Sequence, residues 1–310
     1  MISRWWVTAL FLFLLGCGLC WETVHRSTII IPTAPSPSLH AAVPLEADFA
    51  IPVLMYHRIC DLTPEEARSP LLRDLTVAPR AFNQQMAYLA SHGFTVLTVE
   101  EIAASLQAHL PLPVKGVAIT MDDGYHDNFS QAFPILQRYH SPATIFLVSS
   151  TIQTPGHLSW REIEQMRSMI SYQSHTVNHL DLTMLPTDKL KYELAEAKSM
   201  LEANLHCRIN HLAYPSGAFN TNVIAATRAC GYQCAWKKGG GPVTPFDDPY
   251  LLPRERVRGD TTMEEFARIV WSGVCQHHVT RPSRLHISTK FTTYPINPSP
   301  LPHKSLDAVC

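Results

Sequence analysis

Three short stretches of this 310-residue chain gather acid–base and metal-binding side chains. The first is Thr120-Met121-Asp122-Asp123-Gly124. Neighbouring side chains on an extended backbone point apart, so one carboxylate can face a metal ion while the other faces a substrate. The same pair also fits a solvated acidic turn whose Asp caps the next helix. The second stretch is Ser174-His175-Thr176-Val177-Asn178-His179. Imidazoles at i and i+4 can converge on one ion. With 16 histidines in the chain, that spacing also arises by chance. No HExxH pattern is present, so the common zinc-protease helix is absent. The third is Ala213-Tyr214-Pro215-Ser216-Gly217. Its Pro and Gly fix a turn that can aim a backbone N–H at a substrate oxygen.

Each stretch follows an apolar run that reads as a strand. Gly116–Met121 leads into the two aspartates, Ile170–Gln173 into the histidines and His211–Tyr214 into the turn. Further strands are expected at Ile51–Tyr56, Phe94–Leu97 and Ala143–Val148. Helical spacing marks Pro79–His92, with Phe82, Met86 and Leu89 on one face, and Val99–Ala108. Further helices are expected at Asn128–Tyr139, Trp160–Met169, Pro186–Asn204, Thr221–Ala229 and Thr262–Trp271. Alternating strands and helices imply an α/β fold with a parallel sheet or barrel. In such folds the chemistry sits on loops at the C-terminal ends of strands.

The ends of the chain read differently. Residues 1–20 carry Arg4 and then an uncharged apolar run, as in an export signal. Gly16-Cys17 after that run is similar to a lipoprotein signal with Cys17 as the lipidated residue; an uncleaved anchor reaching Trp21 is the alternative. Either leads to an exported protein of the cell envelope, periplasm or cell surface, tethered to the membrane. Residues 21–48 are proline-rich linker, 49–275 the folded domain and 276–310 a second proline-rich segment read as a mobile tail. The 25 basic and 26 acidic residues nearly balance, which argues against a nucleic-acid partner. The eight cysteines form no CxxC pair, so a zinc ribbon is not expected. Cys230 and Cys234 are the nearest pair within the domain, as a bridge or as buried free thiols.

Taken in order, strand–DDG, HTxxH and YPxG resemble the polysaccharide deacetylases of carbohydrate esterase family 4, the NodB-homology domain. Ile51-Pro52-Val53-Leu54-Met55-Tyr56-His57-Arg58 is similar to the opening strand of the branch that deacetylates poly-N-acetylglucosamine. Phe82 to Met86, His92-Gly93-Phe94 and Leu252-Pro253-Arg254 extend the likeness over roughly residues 50–270. The resemblance implies a distorted (β/α) barrel and metal-dependent N-deacetylation of an N-acetylglucosamine polymer. It assigns Asp123, His175 and His179 as metal ligands, with zinc as the default ion, and Asp122 as general base. His57 is the candidate general acid, with a structural strand-capping histidine as the alternative. The turn at Tyr214 and Ser216 would hold the oxyanion and substrate.

The chain departs from the pattern in three places. Ala213 stands where many relatives carry an Arg that orients the base, and Ser216 replaces the usual Tyr. No clear late Leu-x-His motif follows. Arg254 is the candidate to supply the missing charge near Asp122. Other readings are a degenerate domain that binds glycan without cleaving it, a deacetylase of peptidoglycan or chitin-type oligomers, and a glycosidase. Adjacent carboxylates are poorly placed to flank one glycosidic bond. Tyr125, Trp160 and Trp236 are candidates for stacking on sugar rings, or for packing.

Overall fold

The computed structural model describes residues 49–279. The stretches read as export signal and linker, Cys17 and most of the segment read as a tail lie outside them. Ten strands and eight α-helices follow in chain order among the described residues. They are β1 (Val53–Tyr56), β2 (Arg58–Ile59), α1 (Pro70–Leu75), β3 (Thr76–Val77), α2 (Pro79–Ser91), β4 (Thr95–Leu97), α3 (Val99–Ala108) and β5 (Gly116–Asp123). Next come α4 (Phe133–Arg138), β6 (Ala143–Leu147), α5 (Trp160–Met166), β7 (Ile170–Ser174) and α6 (Thr187–Leu205). The last are β8 (His211–Ala213), α7 (Thr221–Ala229), β9 (Cys234–Trp236), β10 (Glu255–Arg256) and α8 (Met263–Val279).

The helices start and stop for local reasons. Thr98 and Ser159 open α3 and α5 with reciprocal capping boxes to Glu101 and Glu162. The helix expected from Asn128 begins instead as one π turn over Asn128–Ala132. Pro134, which has no N–H to give, then sits in the first turn of α4. The last helix runs to Val279, past its expected end at Trp271. Among the described residues, no helix is long and apolar enough to cross a membrane.

The main sheet is parallel, in the order β10-β1-β5-β6-β7-β8-β9. Ala118 pairs with both Val53 and Leu97, and Thr120 with both Met55 and Thr144. A strand has two edges, so β4 and β6 share the edge of β5 opposite β1. The seam is closed by Leu252–Val257. Leu252 N–H donates to Ala235 O at 3.0 Å, and Val257 N–H to Met55 O at 3.0 Å. One segment thus bonds to β9 and to β1, which gives the distorted (β/α) barrel expected from the sequence.

Strand alternation sorts the core into two clusters. Leu54, Tyr56, Val117, Ile119, Met121, Ile145, Leu147 and Leu212 face α2 and α4–α8. Val53, Ala118, Phe146, Ala213, Trp236 and Leu252 belong to a second cluster whose only buried helical members, Val99, Ile102 and Ala103, come from α3. This second set fills the barrel interior. On β5 the inward positions run Ala118, Thr120, Asp122, from apolar floor to polar mouth.

Candidate active site

The strand register brings the three chemistry-bearing stretches to one rim. Asp123 pairs with Leu147, Leu147 with Ser174, and Ser174 with Leu212. They surround a cavity of about 450 Å³ lined by His57, Asp122, Asp123, His175, His179 and Arg254, among others.

Asp122 points inward by alternation and is 2 % exposed. Asp123 would then point toward the helices, but its φ of 72° breaks the alternation. Its carboxylate reaches the rim, with Oδ1 3.6 Å from His175 Nε2 and 3.7 Å from His179 Nε2. The sharp turn needs Gly124, also at φ 72°, where a Cβ would come within 2.7 Å of Leu147 Cδ2. Thr176, His179 and Ser216 are left-handed as well, at 69°, 55° and 57°. Each non-glycine residue held this way costs on the order of 1 kcal/mol or more, and such strain clusters at functional sites.

One donor atom each from Asp123, His175 and His179 lies within 4.8 Å of the other two. His175 Nδ1 is 2.8 Å from Ala213 O. A carbonyl only accepts, so Nδ1 carries the proton and Nε2 offers its lone pair toward Asp123. Two imidazoles and a carboxylate suit a divalent ion of the zinc type, so the donor set fits a metal. Burial lowers the pKa of His175, which keeps the ring neutral as a ligand must be.

Arg254 lies fully buried against Asp122. Its Nη1 donates to Oδ1 at 2.6 Å and its Nη2 to Oδ2 at 2.8 Å. Nη1 also reaches Thr120 Oγ1 at 3.2 Å, and the guanidinium sits 5.0 Å over the Phe146 ring. Burial works to raise the Asp122 pKa, but Arg254, with His175 and His57, holds it well below the ordinary carboxylate range. Asp122 is therefore ionised and fixed in orientation. Ala213 at the usual Arg position thus leaves no gap in charge, because the seam supplies the cation from the residue before β10.

His57 follows β1 and is half-buried. Burial lowers its pKa, while Asp122 and Asp123 pull it back up. Two residues that sequence reasoning missed hold its segment. Asn128 Nδ2 donates to His57 O at 2.8 Å, and Asp127 Oδ1 accepts from Ile59 N at 2.8 Å. The only signal for them was polar side chains opening a helix just after the DDG turn.

The Tyr214–Gly217 turn needs a correction at Tyr214. Its N–H donates to Trp236 O at 3.0 Å and its hydroxyl to Tyr250 O at 3.1 Å. Pro215 has no N–H, and Gly217 N–H closes the turn onto Tyr214 O. Ser216 is left with the one N–H of the turn that has no partner among the described residues. Tyr214 lines the cavity but has no donor to offer an oxyanion. Of the aromatic candidates, Tyr125 lines the cavity and stacks on His157 at 5.2 Å. Trp236 is buried in the barrel interior, and Trp160 packs against the outer core. Cys60, Cys207, Cys230 and Cys234 are free thiols.

Known proteins share this chain's sequence pattern and fold. The sequence profile described as polysaccharide deacetylase matches residues 109–235. YxkH of Bacillus subtilis (strain 168), named after the same family, is 31 % identical over 218 residues, covering 70 % of this chain and 75 % of its own. The chain belongs to the polysaccharide deacetylase family. A second relative is the poly-beta-1,6-N-acetyl-D-glucosamine N-deacetylase of Staphylococcus epidermidis. It is 27 % identical over 230 residues, 67 % of this chain and 78 % of that one. The solved structure of the Streptococcus pyogenes deacetylase PplD in complex with acetate superposes with a TM-score of 0.67 at 28 % identity. It covers 72 % of this chain and 99 % of that one. The polysaccharide deacetylase barrel and the hydrolase class expected from the sequence, an N-deacetylase, therefore stand.

Proposed function

We propose that this polysaccharide deacetylase removes N-acetyl groups from a cell-surface N-acetylglucosamine polymer. The observation that carries the reading is the convergence of Asp123, His175 and His179 beside an Asp122 that Arg254 keeps ionised. The name of the Staphylococcus epidermidis relative supports the polymer. The export signal read in residues 1–20 agrees with a substrate outside the cytoplasm.

In the reaction, water adds its oxygen to the acetamide carbonyl carbon, the C–N bond breaks, and acetate and a free sugar amine leave. Asp123, His175 and His179 would hold a divalent ion, zinc by default, which when bound polarises a carbonyl and lowers the pKa of water. Asp122, 3.9 Å from His175 Nε2, accepts the proton of the attacking water. The Ser216 N–H faces the charge that develops on the carbonyl oxygen. His57, across the cavity, donates a proton to the departing amine. Arg254 positions Asp122 and keeps it deprotonated. That hold weakens Asp122 as a base, so its contribution comes from placement more than from basicity.

The test is release of acetate from N-acetylglucosamine oligomers by the zinc-loaded full chain. Asp122→Asn is expected to abolish turnover and retain metal, and His175→Ala to lose metal. Glycan binding without acetate release would instead assign a non-catalytic binding module. Faster release from peptidoglycan or chitin oligomers than from the β-1,6 polymer would move the substrate.

A further inference from the structure

The buried carboxylate of Glu193, on α6, is not used in the reaction above. It is 2 % exposed and forms no ion pair among the described residues. Its two oxygens accept from a single residue. Asn178 N–H donates to Oε2 at 2.8 Å and Asn178 Nδ2 to Oε1 at 2.7 Å. Asn178 lines the cavity and lies between the two histidines in sequence. Burying a carboxyl group is costly unless hydrogen bonds satisfy it, and here both bonds come from Asn178.

The two histidines are held differently. His175 is fixed at both ends, by its N–H to Leu147 O at 2.8 Å and its Nδ1 to Ala213 O at 2.8 Å. The His179 ring has no hydrogen bond to the protein among the described residues, and its side chain is 36 % exposed. Its place is therefore set by its backbone, which is left-handed and follows the left-handed Thr176. Ser149 and Ser150 N–H hold Thr176 O and Val177 O at 3.0 Å each, Thr176 Oγ1 accepts from His179 N at 3.1 Å, and the Asn178 clamp holds the residue next to His179. We infer that Glu193 is a positioning residue for the metal centre: by gripping Asn178 it holds the strained 176–179 loop so that His179 meets Asp123 and His175. This rests on the metal reading proposed above.

The clamp has a directional logic that a merely structural contact lacks. Glu193→Leu keeps much of the volume but removes both acceptors, which leaves the Asn178 N–H and Nδ2 unpaired. Asn178→Asp puts one carboxylate against another. Together, Asn178→Asp and Glu193→Gln restore both bonds, with the Gln oxygen taking the backbone N–H and its nitrogen donating to Asp. The net charge of the pair is unchanged.

Zinc affinity of the full chain, measured by competition with a chromophoric chelator, reads this directly, and the visible spectrum of the cobalt form reports the ligand geometry. Each single variant is expected to weaken zinc binding by about 10–100-fold, as for other groups that orient a ligand. The double variant is expected to recover most of that loss and the wild-type cobalt spectrum. Native circular dichroism of the apo singles would show that the loss is not unfolding. If a single variant does not fold, the double variant still decides. Wild-type affinity in Glu193→Leu overturns the inference, as does a folded double variant no tighter than Asn178→Asp. If His175→Ala leaves zinc affinity unchanged, it is the metal reading that fails.

Discussion

Arg254→Met is the substitution most directly open to calculation. The methionine keeps much of the side-chain volume and removes the charge. Two charge-assisted bonds of 2.6 and 2.8 Å disappear, and Asp122, its side chain 3 % exposed, is left without a cation in contact. Removing one partner of a buried pair costs about 3–5 kcal/mol, because the survivor is an uncompensated charge. Thr120 Oγ1 loses a donor as well, at 3.2 Å. For a domain of this size each kcal/mol moves the melting point by roughly 2–4 °C, so the drop should be roughly 6–20 °C. Urea unfolding of the metal-free protein measures the free-energy loss, and thermal unfolding the drop in melting point. Asp122→Asn in the same background removes the orphaned charge, and the pair should be non-additive by about 0.5–3 kcal/mol in the recovering direction. A loss for Arg254→Met below about 1 kcal/mol, the usual worth of an exposed pair, would refute the reasoning. So would strict additivity of the two changes.

His57→Ala should lower the acetate-release rate by about 10²–10⁴-fold, the usual range for a general acid, with zinc content unchanged by metal analysis; an unaffected rate excludes the acid role. His211 is buried and accepts the indole N–H of Trp236 on Nδ1 at 3.2 Å, so the folded state needs it neutral. Burial, with Lys198, pushes its pKa down to about 3. The unfolded chain protonates near 6.5, so the stability this group contributes is whole above that pH and is lost as pH falls toward 3. The loss is about 1.4 kcal/mol per pH unit at its steepest. Urea midpoints from pH 4 to 7 should therefore slope less in His211→Asn than in the wild type; equal slopes would count against it. Gly124→Ala forces a Cβ to 2.7 Å from Leu147 Cδ2 at a left-handed backbone position, and should destabilise by more than about 1 kcal/mol in the same assay.

The parts of the site legible in the sequence were those carried by local pattern. Gly116–Met121 and Ile170–Gln173 are apolar runs long enough to read as strands, so the Asp and His clusters that follow them fall at strand ends. The β5 strand runs two residues further than its apolar run, because Asp122 and Asp123 keep pairing with Phe146 and Leu147. What could not be read was set by distant contact. β2, β3, β9 and β10 are two or three residues each and are defined by their partners, not by periodicity. Glu193 looks like any charged residue on a helix until α6 is laid against the histidine loop. The Tyr214 N–H looks available until Trp236 is placed beside it. Arg254 could be suspected from a missing charge, but its bidentate geometry depends on how the seam closes.

That seam also has a consequence for assembly. Asp122 and Arg254 are 132 residues apart in sequence, and the cation arrives on the segment that shuts the barrel. Contacts of such long separation are entropically expensive to close before the rest of the sheet exists. A barrel left open at residues 252–257 would keep the aspartate but lack its counter-ion, so Asp122 is anchored only when the ring of strands is complete. Competence for chemistry and integrity of the fold are then reported by one and the same ion pair.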